Sequence, residues 1–126
     1  DWIPCAWPHD GYQHDKGSGD DLASQYREQG LNMLLDHATH YEGGFGVEAG
    51  LMEMLARMQT GRFKVFRHLH DWLGEFRLYH RKDGKVVKLH DDLLSATRYA
   101  LMMKRYALQG GAGFGRKIEY PKIKVA

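Results

Sequence analysis

Hydrophobic and polar positions recur with two periods along this chain, and each change of period marks a new element. Trp2 to Trp7 (WIPCAW) is a short apolar run holding Pro4 and closed by Pro8, which predicts a buried strand that ends abruptly. The polar, glycine-containing stretch HDGYQHDKGSGDD follows as a loop, and Ser18 three residues before Asp21 predicts a capping box opening a helix that stops at Gly30. Asn32 to Leu35 (NMLL) predicts a second short strand, and a loop rich in glycine, His and Thr runs from there to Gly46. Val47, Leu51, Met54, Leu55 and Met58 then fall on one face of a helix that reaches about Thr60 and is stopped by Gly61. Phe63, Val65 and Phe66 predict another strand, followed by a short amphipathic turn with Trp72, Leu73 and Phe76. Asp83 and Gly84 lie between two strand-like runs and predict a hairpin, because both tolerate the positive φ of a tight turn. A last helix starts near Asp91, with Leu89, Leu93, Ala96, Ala100, Met103 and Ala107 as its core stripe, and ends at Gly110. Strands alternating with helices argue an α/β sheet with helices on its faces.

Length fits this picture: 126 residues suit one core, or part of one, and not two independent domains. The absence of an eighteen-residue apolar run or a basic-then-apolar leader predicts a soluble chain with no membrane partner. One cysteine, Cys5, excludes an internal disulfide, and eight histidines without paired cysteines exclude a zinc finger. Cys5 lies in the apolar run and reads as a small core residue.

Charge divides the chain. Residues 1–60 carry three Lys/Arg against ten Asp/Glu, and residues 61–126 carry fifteen against six. An acidic half beside a basic half suits a metal on one side and a polyanion on the other, although two halves that merely attract one another give the same composition.

Three acids stand out by position. Asp10 follows the first strand, where open α/β sheets present ligand groups, although an Asx turn after Pro8 would also place an Asp beside Gly11. Asp91 and Asp92 open the last helix, where amide dipoles favour negative charge; helix capping is the competing explanation. With Leu89 and Leu93 anchoring that turn, the two carboxylates are expected near the sheet surface, able to meet Asp10. Carboxylates brought together repel unless a cation sits among them, and hard oxygen ligands without thiolate favour magnesium or manganese. His37 with His40, and His68 with His70, lack the partners of a zinc helix and read as surface or loop residues. Met52, Met54, Met58, Met102 and Met103 read as packing. Arg62 and Lys64 follow the glycine turn, and Arg81, Lys82, Lys85 and Lys88 line the hairpin leading into Asp91; they suit a phosphate backbone, or equally the blunting of an exposed sheet edge.

The blocks AWPHDG, HDKGSG, RMQTGRFKVF and DWLGEFRLYHRKDGKVVKLHDDLLSATRYA, in this order over about residues 2–107, resemble the C-terminal nuclease domain of the large subunit of tailed-phage DNA-packaging terminases. The resemblance implies a ribonuclease H-like α/β fold, a mixed sheet with flanking helices, and a metal-dependent endonuclease cutting concatemeric double-stranded phage DNA in the host cytoplasm. It implies three acids holding two Mg2+ or Mn2+ ions, the second and third matching Asp10 and the Asp91/Asp92 pair, with Asp92 as the direct ligand and Asp91 in support. The first acid belongs to an earlier strand that this chain is expected to lack. Asp1 does not replace it, because a strand rising about 3.3 Å per residue would set it some 25 Å from Asp10. The motor's phosphate-loop motif GxxxxGK[ST] does not occur, so residues 1–109 are expected to be the later part of a nuclease domain. Residues 110–126, glycine-rich and then basic, are expected to form a flexible tail. Implied partners are the terminase ATPase domain, the small subunit and the portal. Two other functions fit the same residues: a non-catalytic docking module that binds the portal through the tail, and a resolvase of branched DNA. No base-reading helix is apparent, so cutting is expected to ignore sequence.

Overall fold

The structure, a computed structural model, describes residues 3–14, 17, 19 and 21–107. The 110–126 tail and Ser18 lie outside the described residues. Strand β1 (Pro4–Cys5) pairs in parallel with β2 (Asn32–Met33), Pro4 opposite Asn32 and Cys5 opposite Met33, and helix α1 (Leu22–Glu28) connects them. The predicted six-residue strand is thus two residues long, since Pro4 removes one amide and Pro8 another. Pairing persists more loosely beyond it, where the Ala38 amide donates to the Trp7 carbonyl at 2.7 Å and the Trp7 indole N–H donates to the Leu34 carbonyl at 2.7 Å. Asp21 itself caps α1, its carboxylate accepting from the Ser24 amide at 2.7 Å.

Helix α2 (Val47–Gln59) forms where the apolar spacing predicts, with Met54 buried and Leu51 and Met58 partly so, while Leu55 of the predicted face is exposed. The Phe63–Phe66 strand does not form. Phe63 and Val65 instead drop from an irregular segment onto the core, while Phe66 stays exposed, so alternation here reflects two anchors without a partner strand. Helix α3 (His70–Leu78) follows, then the hairpin β3 (Arg81–Lys82) and β4 (Lys85–Val86), with Asp83 at φ 51° and Gly84 at φ 75° as a type I′ turn requires.

Helix α4 (Asp92–Met102) packs against both α2 and α3. Its buried face is Leu94, Arg98 and Met102, not the predicted Leu89, Leu93, Ala96 and Ala100. Leu89 is 64% exposed and Leu93 40%, so neither anchors the turn that begins the helix. The helix stops at Met102 and continues as a 3-10 turn (Lys104–Tyr106), short of the expected end at Gly110. The core has two parts, both built on α4. Leu94 joins Met54 and Trp72, with the Trp72 indole N–H donating to Thr97 Oγ1 at 2.9 Å, and Met102 and Met103 pack on Ala38. Leu94, the most fully enclosed large side chain, gives about 2–3 kcal/mol by leaving water. Of the predicted packing methionines, Met54, Met102 and Met103 are buried and Met52 is exposed.

Candidate functional site

The chain leaves β1 through Trp7 and Pro8 into a 3-10 turn (His9–Tyr12), and Asp10 lies in that turn. Gly11 lets the turn lie flat on the Trp7 indole, since a Cβ there would come within 2.8 Å of Trp7 Cζ3 and closer still to Cε3. The Asp10 carboxylate, 61% exposed, has His9 Nε2 at 3.0 Å from Oδ1. Asp10, Asp91 and Asp92 line one open cavity of about 490 Å3, together with Lys88, Tyr79 and Arg98. Burial raises the Tyr79 phenol above its usual range, and the Asp91 carboxylate pushes it the same way.

Capping does not occupy the two acids that begin α4. Glu75, reaching across from α3, accepts from the Leu93 amide at 2.9 Å and the Leu94 amide at 3.1 Å with one oxygen. Asp91 holds the N-cap position but makes no side-chain cap bond; its Oδ2 accepts from Ser95 Oγ at 3.2 Å. His90, just before it, adopts the left-handed conformation at φ 51°. A carboxylate from another helix therefore satisfies the orphan amides, and Asp91 and Asp92 remain available to the cavity.

The donor set suits a hard divalent cation: carboxylate oxygens, and no thiolate in the lining. Among the described residues no three His, Cys, Asp or Glu side chains stand close enough to hold one ion.

Residues 1–104 match the family described as Terminase RNaseH-like domain. The chain belongs to that family. This terminase domain is 55% identical over 106 residues to the terminase large subunit of Salmonella phage P22, covering 83% of the chain and 21% of that protein. It is 54% identical over 103 residues to the terminase large subunit of Enterobacteria phage LP7, covering 81% of the chain and 22% of that protein. It also matches the solved structure of the P22 large terminase nuclease domain with a TM-score of 0.74 and 55% identity, over 83% of this chain and 55% of that one. The fold is ribonuclease H-like, and the chain spans about a fifth of the length of its curated relatives.

Of the basic residues expected on DNA, the structure places Lys88 in the acidic cavity. Arg81 is held by α2: its two terminal nitrogens each donate to a Glu48 oxygen at 2.6 Å, and that bond draws the Glu48 carboxyl below its usual range. Lys82 and Lys85 lie exposed on the hairpin, and Lys64 lies exposed after α2. Arg62 is tied to Thr60 Oγ1 at 2.9 Å beside the end of α2. None of these five lines the acidic cavity. Of the histidines expected on the surface or in loops, His37 sits in a loop, partly buried with its ring against Trp7, Tyr12 and Phe45. Sequence reading missed Glu75, whose role depends on an interhelical contact, and Arg98, the one charged residue fully inside the described structure. The available signal for Arg98 was its place between Leu94 and Met102 at spacings of four.

Proposed function

We propose that this terminase domain carries part of the site that hydrolyses phosphodiester bonds of concatemeric double-stranded viral DNA, with Asp10 and Asp92 as ligands of Mg2+ or Mn2+ and Asp91 in support. One observation carries this reading: acids from the exit of β1 and from the start of α4 line the same cavity, while Glu75 relieves those of α4 from capping. A divalent ion held by these carboxylates would supply activation of a water and charge stabilisation at the leaving oxygen. The protein's own part is positioning. Gly11 on Trp7 fixes the turn bearing Asp10, Glu75 fixes the start of α4, and Lys88 offers a cation at the cavity wall for a backbone phosphate. The chain's basic second half supplies the wider field that attracts DNA. The ATPase domain, the small subunit and the portal are the partners that terminase membership suggests.

Mn2+ titration of the chain and relaxation of supercoiled plasmid test the site together. Asp10→Asn and Asp92→Asn are each expected to weaken Mn2+ binding at least about tenfold, since each removes a direct carboxylate ligand. Because no three ligating groups are assembled among the described residues, the chain alone is expected to cut slowly. Mn2+ affinity indifferent to both substitutions would overturn the assignment, and rapid cutting that Asp92→Asn abolishes would show the metal site complete in this chain.

A further inference from the structure

Arg98 is 6% exposed, yet no carboxylate pairs with it among the described residues. Its contacts are weak for a buried cation: Nη1 lies 3.8 Å from Met102 Sδ, and the guanidinium carbon lies 4.6 Å from the centre of the Tyr99 ring. Room is made for it. A Cβ on Gly50 of α2 would stand 2.7 Å from Arg98 Cγ and 2.8 Å from Cδ. A largely buried charge with no carboxylate in direct contact is costly, and an anion that reaches it would offset that cost.

Its position indicates what arrives. Arg98 lines the acidic cavity and also a neighbouring one of about 480 Å3, and Lys88 lines both. The second cavity has His9 and Phe45 in its wall, their rings stacked 4.9 Å apart at 23°. A cation stands at the divide, with carboxylates on one side and a flat aromatic wall on the other. A strand of duplex DNA fits that order through its backbone, with a phosphodiester at the divide. We propose that Arg98 grips a phosphodiester of the bound DNA strand by its two-nitrogen fork, with Lys88 as the outer cation. The inference rests on the nuclease reading above and adds the contact that holds the strand beside the acids.

The test is binding of a fluorescent DNA duplex by the full chain without divalent metal, from 50 to 200 mM salt. Arg98→Met fills the same space beside Met102, so the fold is expected to melt no lower than wild type, whereas DNA affinity falls about tenfold and the slope of log K against log salt loses about one unit. Arg98→Lys keeps the slope and loses part of the affinity, because the charge stays and the fork goes. A readout that needs no substitution is the Arg98 Nε–H resonance of the wild-type chain, expected to shift when duplex is added. An unchanged slope in Arg98→Met with an unmoved resonance, in a wild-type chain that binds DNA, overturns the role of Arg98 and leaves the nuclease reading standing. Wild-type chain that shows no salt-dependent DNA binding overturns that reading and the Arg98 contact with it.

Discussion

Helices α1 and α4 both begin with an aspartate at the N-cap position, and the two aspartates have opposite fates. Asp21 is consumed by its helix: one oxygen accepts from the Ser24 amide at 2.7 Å and the other from Ser24 Oγ at 3.1 Å. Asp91 is spared, because Glu75 accepts from the first amides of α4. The same residue at the same local position is thus a structural cap on α1 and a wall of the acidic cavity on α4. A carboxylate becomes available for chemistry when another group has already met the local demand of the backbone.

Removing Glu75 should break this difference most completely. Glu75→Ala leaves the Leu93 and Leu94 amides without their acceptor, which is expected to cost about 1–3 kcal/mol unless Asp91 or Asp92 turns back to cap the helix. Either response disturbs the cavity, so Mn2+ affinity is expected to fall about tenfold, as it does when supporting partners of metal ligands are lost. Glu75→Gln keeps a carbonyl acceptor and should retain most of both. Urea unfolding with Mn2+ titration reads the two effects side by side, and unchanged Mn2+ affinity in Glu75→Ala would mean that Asp91 and Asp92 do not depend on it.

A smaller effect sharpens the contrast between the two aspartates themselves. Asp21→Ala should lower the melting temperature by about 4 °C and leave Mn2+ binding alone, because a cap is lost and a cavity is not touched. Asp91→Ala should do the reverse, shifting melting by no more than about 2 °C while weakening Mn2+ binding. Equal melting losses in the two variants would show that Asp91 caps α4 after all.

Much of this was legible in the sequence, and the failures share a cause. The α2 helix, the DG hairpin and the short β1 and β2 strands follow from local spacing, and Asp10, Asp91 and Asp92 could be singled out as candidates that share a cavity because they lie at element boundaries, which local signals mark well. The core face of α4 was misread because Arg98 stands in the middle of it, so a hydrophobic count prefers the alanine stripe one step around the helix. Phe63 and Val65 look like a strand because two alternate residues are buried, but no neighbouring strand pairs with them among the described residues. Glu75 and Arg98 act through contacts between helices, and a local pattern holds no information about which helix will lie opposite.

The weakest expected effect isolates the charge of the consumed aspartate from its hydrogen bonding. The Ser24 amide bonded to Asp21 holds its carboxyl below the ordinary value of 3.8, so the group binds its proton less readily in the folded chain than in the unfolded one. Its contribution to stability is therefore complete above the unfolded value and lost as pH falls through the lower folded value. Asparagine at this position offers an oxygen of the same reach that does not titrate. Melting curves of wild type and Asp21→Asn should accordingly run parallel between pH 5 and 7 and converge only below about pH 4, where the aspartate takes up its proton. A gap between the two that stays constant down to pH 2.5 would mean that the Ser24 bond favours neither protonation state, and that Asp21 caps α1 by shape alone.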